Sequence, residues 1–267
     1  MLLAVAVAIC TFCLVSQRGT AQEEPAGKAV KPIRVLHLTG GCCHDYDKQK
    51  LILQAGMEAR ANVDFTVIHE GGKGSVHQYS ALKEKGWGDR YDVVLYNICF
   101  AKEADVEYIE SITDVHKNGL AAVALHCTYH SHHWSAETDA WEDFLGVSSR
   151  GHGPKAKIEV TNSKPDHPIM KGFPKKWTTP QGELYNVQKT LTATPLATGN
   201  NGKKEYEVIW TNQYGKGKVF GTTIGHHNET MATDEYLDLV ARGLLWVTGH
   251  LGEDGKAAPG FGAKGAK

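Results

Sequence analysis

Leu120 to Trp134 reads LAAVALHCTYHSHHW, an apolar run that stops at His126 and is followed by Cys127, His130, His132 and His133. Imidazole titrates near neutral pH and, when neutral, ligates metals; a thiolate is both a nucleophile and a soft ligand. Two other apolar runs end in the same way. Ile33 to Leu38 leads through Thr39-Gly40-Gly41-Cys42-Cys43 to His44 and Asp45, and Val219 to Ile224 leads through Gly225 to His226 and His227. His126 and His130 are four apart, the spacing by which a helix offers two imidazoles to one zinc, but no glutamate follows the first histidine as it does in metalloproteases. Together with His226 they form a candidate set for a divalent ion, zinc or manganese. The chemistry open to these residues is histidine acid–base catalysis, with His126, His226, His44 and Asp45 as candidates, or metal-assisted catalysis. A third option is a cysteine hydrolase, with Cys127 as nucleophile on a strand-to-helix elbow beside backbone N–H groups. Neighbours on a strand point to opposite sides, so only one of His126 and Cys127 can occupy the elbow, and His126 is preferred there. His132 and His133 are expected on the outer, solvated face of the loop or at an entrance.

These loops can meet only if the strands before them lie side by side. A short run that is apolar at every position suits a strand buried on both faces of a parallel sheet, and ligands bind beyond the carboxyl ends of such strands. Strands are expected at Ile33–Leu38, Asp64–Ile68, Tyr91–Asn97 and Leu120–Leu125. Helices are expected between them at Tyr46–Ala61 and Glu103–Lys117, the latter with Val106, Ile109, Ile112 and Val115 inward and Gly119 as its stop. A further helix is expected at Ala136–Leu145 with Ser135 as N-cap. This alternation predicts an α/β fold with a doubly wound, mainly parallel sheet. After Gly146 the texture changes to short strands, at Ala156–Val160, Leu184–Val187, Glu207–Thr211 and Val219–Ile224, before an amphipathic helix at Asp234–Val247.

The chain has 267 residues, fourteen histidines and a formal charge of −1. That balance gives no basic field to gather nucleic acid. Leu2 to Val15 is nearly continuous apolar sequence, shorter than the ~20 residues of a membrane span, and small residues precede Gln22. Residues 1–21 therefore read as a secretory signal, with an uncleaved anchor as the alternative, and the mature chain as exported, periplasmic or extracellular, without a membrane span. Residues 22–32 read as a linker, 33–250 as one domain and 251–267, rich in Gly, Ala and Lys, as a disordered tail. Export would leave Cys42, Cys43, Cys99 and Cys127. Adjacent cysteines rarely bond to each other, and Cys99 reads as a buried thiol.

Outside the three strand exits, Glu183 stands before a strand and can act as a general acid/base or accept from a sugar hydroxyl. Gly41, His152 (flanked by glycines), Tyr185 and His227 are candidate substrate contacts. Asp166-His167-Pro168 reads as a structural turn, because proline forces its predecessor into an extended conformation.

In this order, these motifs resemble the ThuA-like (trehalose utilisation) family. The resemblance rests on Gly40-Gly41 to His44-Asp45, Ala124-Leu125-His126, Arg150 to His152, His167-Pro168 and Glu183-Leu184-Tyr185-Asn186. It continues through Gly217-Lys218-Val219-Phe220 with Gly225-His226 and ends at Trp246, so it spans roughly Ile33 to His250. It implies a flavodoxin-like sheet of the class I glutamine amidotransferase type. Those amidotransferases carry a cysteine flanked by glycines at the elbow, where this chain has His126 after Ala124-Leu125, so glutamine hydrolysis is not expected. The family association implies carbohydrate metabolism: a small-molecule substrate such as an oxidised (3-keto) sugar or glycoside, acted on by a lyase, isomerase or hydrolase. A non-catalytic carbohydrate- or partner-binding module is the alternative, and a homo-oligomer is compatible with either.

Overall fold

The computed structural model describes residues 30–134 and 137–264. The apolar leader, most of the linker, and Ser135 and Ala136 lie outside these residues. Among the described residues no helix is long and apolar enough to cross a membrane.

The first half alternates strand and helix. Its elements are β1 (Ile33–Gly41), α1 (Tyr46–Glu58), β2 (Val63–His69), β3 (Val93–Cys99), α2 (Val106–Lys117), β4 (Ala121–Leu125) and α3 (Ala140–Leu145). The second half contributes β5 (Val147–Lys155), β6 (Glu159–Asn162), β7 (Lys176–Thr178), β8 (Glu183–Thr190), β9 (Thr194–Asn200), β10 (Glu205–Tyr214) and β11 (Gly217–Thr222), then α4 (Asn228–Met231) and α5 (Asp234–Val247). Nine strands form one sheet in the order β2-β1-β3-β4-β11-β10-β9-β6-β7. The first five are parallel, and the last four continue antiparallel. β5 and β8 pair separately as an irregular antiparallel ribbon. This is the expected α/β architecture with a large, mainly parallel sheet.

The central strands β3 and β4 are buried at every position because both faces of the sheet are covered. On one face Val35, Val93, Leu95 and Val123 pack with Leu53 and Met57 of α1 and with Val240 and Leu244 of α5. On the other, Leu36, Val94, Tyr96 and Ala124 pack with Ile109 and Ile112 of α2 and with Trp141 and Phe144 of α3. Each aliphatic side chain buried in this way stabilises the fold by roughly 1.5–3 kcal/mol. Gly119, at φ +130°, ends α2 where Cα substitution would be strained,.

Four expectations change. The helix expected from Ala136 starts at Ala140 with Asp139 at its N-cap. β5, β7 and β9 were not expected; their residues, such as Arg150-Gly151-His152-Gly153-Pro154, read as turn chemistry. Leu251 to Lys264, expected to be disordered, packs back on the body: Asn62 N–H donates to Phe261 O (2.9 Å), and Phe261 stacks on His250. Leu251, Ala257 and Phe261 are the apolar contacts that make this possible. Finally, His132 and His133 are buried rather than solvated, His132 edge-on to Trp141 (centroids 4.7 Å) and His133 against Glu142 (2.6 Å).

Several histidines outside the site are buried neutral. Desolvation, followed by the charges of His69 and Lys50, pushes His37 down to about 3. Desolvation also pushes His116 and His132 down to about 4. An unfolded chain takes up these protons near the ordinary value of 6.5, whereas the folded chain refuses them until far lower pH. Stability is therefore fully present above that ordinary value and is lost as pH falls, by up to about 1.4 kcal/mol per pH unit for each such histidine. Urea midpoints measured from about pH 7 down to about pH 4 should fall steadily, and a flat series would contradict the burial of these rings in neutral form.

Candidate active site

Sheet register sets the site. Leu125 pairs with Thr222, so the residue that leaves β4 stands beside the one that leaves β11. His126 turns sharply there, with φ +43°, and is almost fully buried. A non-glycine residue in this region is strained by roughly 1–3 kcal/mol, a feature that clusters at functional sites. His126 is thus the elbow residue. Its Nδ1 lies 2.6 Å from the Thr223 carbonyl oxygen. A carbonyl only accepts, so Nδ1 carries the proton and Nε2 is left with a bare lone pair.

That lone pair faces His226 Nδ1 at 3.2 Å and Glu183 Oε2 at 3.8 Å. Glu183 opens β8, which lays it over the strand exits. One carboxylate oxygen lies 3.2 Å from His226 Nδ1 and the other 3.1 Å from His152 Nδ1. His44, from the loop after β1, sits edge-on to His126 (centroids 4.8 Å) and to His226 (4.6 Å). Neither of its ring nitrogens has a hydrogen-bond partner among the described residues. Three imidazoles from three strand exits and one carboxylate therefore meet at one point.

Burial sets their protonation. Desolvation, reinforced by the charge of His44, holds His126 well below the ordinary imidazole value. Desolvation and the charge of His226 push His44 down to about 3. Burial raises the Glu183 carboxyl, but the hydrogen bond from His226 and the surrounding imidazoles outweigh it and hold the group below its usual value. At neutral pH the site combines a neutral, desolvated base with a carboxylate able to stabilise that base once it is protonated.

Nitrogens of His44, His126 and His226 lie within 4.8 Å of one another, so these three form the all-histidine set that could hold a metal among the described residues. The donor type suits zinc, and the unpartnered ring nitrogens of half-buried His44 fit such a role,. His130 is not among them. His126 to His130 form a 3₁₀ turn, and with three residues per turn the i, i+4 pair no longer shares a face,. His130 instead stacks on Tyr185 (centroids 4.0 Å) and meets Ser149 Oγ at 3.2 Å.

Tyr185 also packs on His126, with centroids 4.4 Å apart. A cavity of about 650 Å³ opens from this centre, lined by His130, Trp134, Arg150, His152, Glu183, Tyr185 and His226. His44 and His226 also border a second opening with Gly41, Asp45 and His227. Asp45 serves chiefly as a cap: its carboxylate accepts from Lys48 N–H at the start of α1 and from Asn228 Nδ2 (2.9 Å). His227 packs edge-on against His226 (centroids 4.5 Å) and is the N-cap of α4.

Cys127 does not stand free as a nucleophile. It is buried, and its sulfur is paired with that of Cys99; Cys42 and Cys43, expected not to bond, are paired as well. The wall residue Trp134, Ser149 behind His130 and the carbonyl of Thr223 were not foreseen. The carbonyl carries no sequence signal, whereas Trp134, a large apolar residue directly after the histidine cluster, could have been noticed.

Together these features define an α/β protein with a histidine-rich cleft at the carboxyl edge of its sheet. The model of the trehalose utilisation family, ThuA, matches residues 34–247, and the chain belongs to that family. Among solved structures it is similar to a ThuA-like protein from Parabacteroides merdae, with 19% identity over 82% of this chain and 90% of that one and a TM-score of 0.65. A ThuA-like protein from Bacteroides uniformis is similar with 15% identity, 84% and 95% coverage and a TM-score of 0.61. At these identities the likeness concerns the fold. No curated protein matches the sequence.

Gly41, at φ +106°, tests how tightly the first loop is held. A Cβ there would lie 2.3 Å from the Cys99 carbonyl oxygen, backbone that cannot swing aside. Gly41→Ala should therefore lower the unfolding free energy by about 2 kcal/mol or more in chemical denaturation; an unchanged midpoint would show that the loop adapts.

Proposed function

We propose that this chain is an exported enzyme acting on an oxidised sugar, a 3-keto sugar or glycoside, with His126 as the base that removes a proton next to the carbonyl. Family membership suggests a carbohydrate-related role. The order β2-β1-β3-β4-β11 of the parallel strands is that of flavodoxin-like sheets, and it supports the class I amidotransferase-like reading of the fold,. The apolar leader Leu2–Val15, outside the described residues, supports export.

The observation that carries the proposal is the bare, buried Nε2 of His126 beside Glu183 and His226. Proton transfer to that nitrogen produces an imidazolium whose charge the Glu183 carboxylate offsets at short range. The Thr223 carbonyl fixes the tautomer throughout. Negative charge developing on the sugar oxygen is stabilised by imidazole N–H groups. A divalent ion held by His44, His126 and His226 would occupy that same Nε2 and would supply Lewis-acid polarisation of the sugar oxygen in place of His126 as base, leaving Glu183 as the proton acceptor,. Trp134, 58% exposed at the cavity mouth, offers an apolar face for a sugar ring, and Arg150 and His152 offer donors for hydroxyls.

The test follows exchange of the carbon-bound proton next to the ketone of a 3-keto-glucoside in D₂O by proton NMR. His126→Ala should slow exchange by about a hundredfold or more, and Glu183→Gln by about tenfold or more, with circular dichroism unchanged. Exchange at the wild-type rate in the His126 variant would sink the assignment. Saturable binding without exchange in the wild type would favour a binding module.

The burial of His126 also sets the pH response. A base with a lowered pKa stays unprotonated as pH falls, so the acid limb of kcat/KM should lie below the ordinary imidazole value of 6.5,. A limb at or above that value would contradict a desolvated base.

A further inference from the structure

The same sheet edge gathers sulfur as well as nitrogen. Cys42 and Cys43 follow β1, Cys99 ends β3 and Cys127 follows β4, so three strand exits bring four cysteines together. The structure pairs Cys42 with Cys43 and Cys99 with Cys127, and places Cys42 Sγ 3.5 Å from Cys99 Sγ. The sulfurs of Cys42, Cys43 and Cys99 lie within 4.8 Å of one another, as do those of Cys99 and Cys127 with a nitrogen of His44. Cys99 is common to both groups.

A covalent staple accounts for Cys99–Cys127, which are 28 residues apart, but not for Cys42 and Cys43 beside them,. Cys42 and Cys43 are neighbours in sequence, so a bond between them closes no chain loop and restricts the unfolded chain very little,. Their loop is nevertheless closely shaped. Gly40, Gly41 and Cys43 all have positive φ, at 139°, 106° and 81°, and Cys42 N–H donates to the Cys99 carbonyl (3.2 Å). A non-glycine residue held at such a φ is a device for aiming a side chain. Here it holds the two adjacent sulfurs beside Cys99.

We propose that Cys42, Cys43, Cys99 and Cys127, when reduced, form a thiolate site for one thiophilic divalent cation of the zinc type. Thiolate sulfurs from separate segments are the usual donors for such ions, and the sulfurs of Cys42 and Cys99, 3.5 Å apart, already stand at about one tetrahedral edge, with Cys43 and Cys127 each grouped with Cys99. Reduction by a trialkylphosphine supplies two electrons to each S–S bond. Phosphorus takes the oxygen of a water molecule, and the two hydrogens of that water end on the two thiols. Cation binding then releases thiol protons to solvent. This site does not depend on the catalytic role of His126.

The test uses the full chain, reduced with a trialkylphosphine under argon, freed of reductant and titrated with cobalt(II). The expected result is one equivalent bound with an intense sulfur-to-cobalt charge-transfer absorption that zinc(II) abolishes. A cobalt ion held only by the histidines would lack that absorption. Cys99→Ser, which removes the sulfur common to both groups, should weaken the band. Cys43→Ser, at an exposed position that leaves folding intact, should weaken cobalt binding by roughly tenfold or more, and His126→Ala should keep the band. Absence of the band in the reduced chain, a band indifferent to Cys43→Ser, or one lost with His126→Ala would overturn the proposal.

Discussion

The hydrogen bond from His126 Nδ1 to the Thr223 carbonyl joins the exits of two neighbouring parallel strands, and the chemistry of the cleft depends on it. It engages one ring nitrogen as a donor and leaves the other bare. It also helps hold His126 in a left-handed conformation that its own backbone disfavours,. The bond exists because β11, close to the end of the chain, inserts next to β4 in parallel register, a pairing across about a hundred residues of sequence.

Around that bond, burial and charge act in opposition. Desolvation keeps the imidazoles of His44 and His126 neutral, so neighbouring rings can crowd without mutual repulsion,. Glu183 remains ionised despite burial because His226 donates to it and the imidazole of His152 lies beside its other oxygen. The irregular β5–β8 ribbon that carries His152, Glu183 and Tyr185 is therefore as much a part of the site as the parallel sheet beneath it.

Much of this was legible in the sequence. The run Leu120–Leu125 announced a doubly buried strand, and three apolar runs ending in histidine announced a shared edge. What sequence pattern could not supply was local helix type. A 3₁₀ turn after β4, in place of an α-helical one, moved His130 out of any set with His126 and left His44 to complete it. The same positional reasoning applied to cysteines would have grouped Cys42, Cys43, Cys99 and Cys127, but adjacent cysteines were judged only by whether they could bond. The tail departs from its composition for a related reason. Its composition is that of disordered chain, yet Leu251, Ala257 and Phe261 suffice to anchor it.

The central claim, that His126 is a neutral base with a bare Nε2, is open to direct observation. Nitrogen-15 NMR of histidine-labelled protein at neutral pH, with His126 assigned by its loss in His126→Ala, reads the protonation of each ring nitrogen. The predicted spectrum shows a protonated Nδ1 and an unprotonated Nε2. An imidazolium, or a ring protonated at Nε2 with Nδ1 bare, would contradict the account.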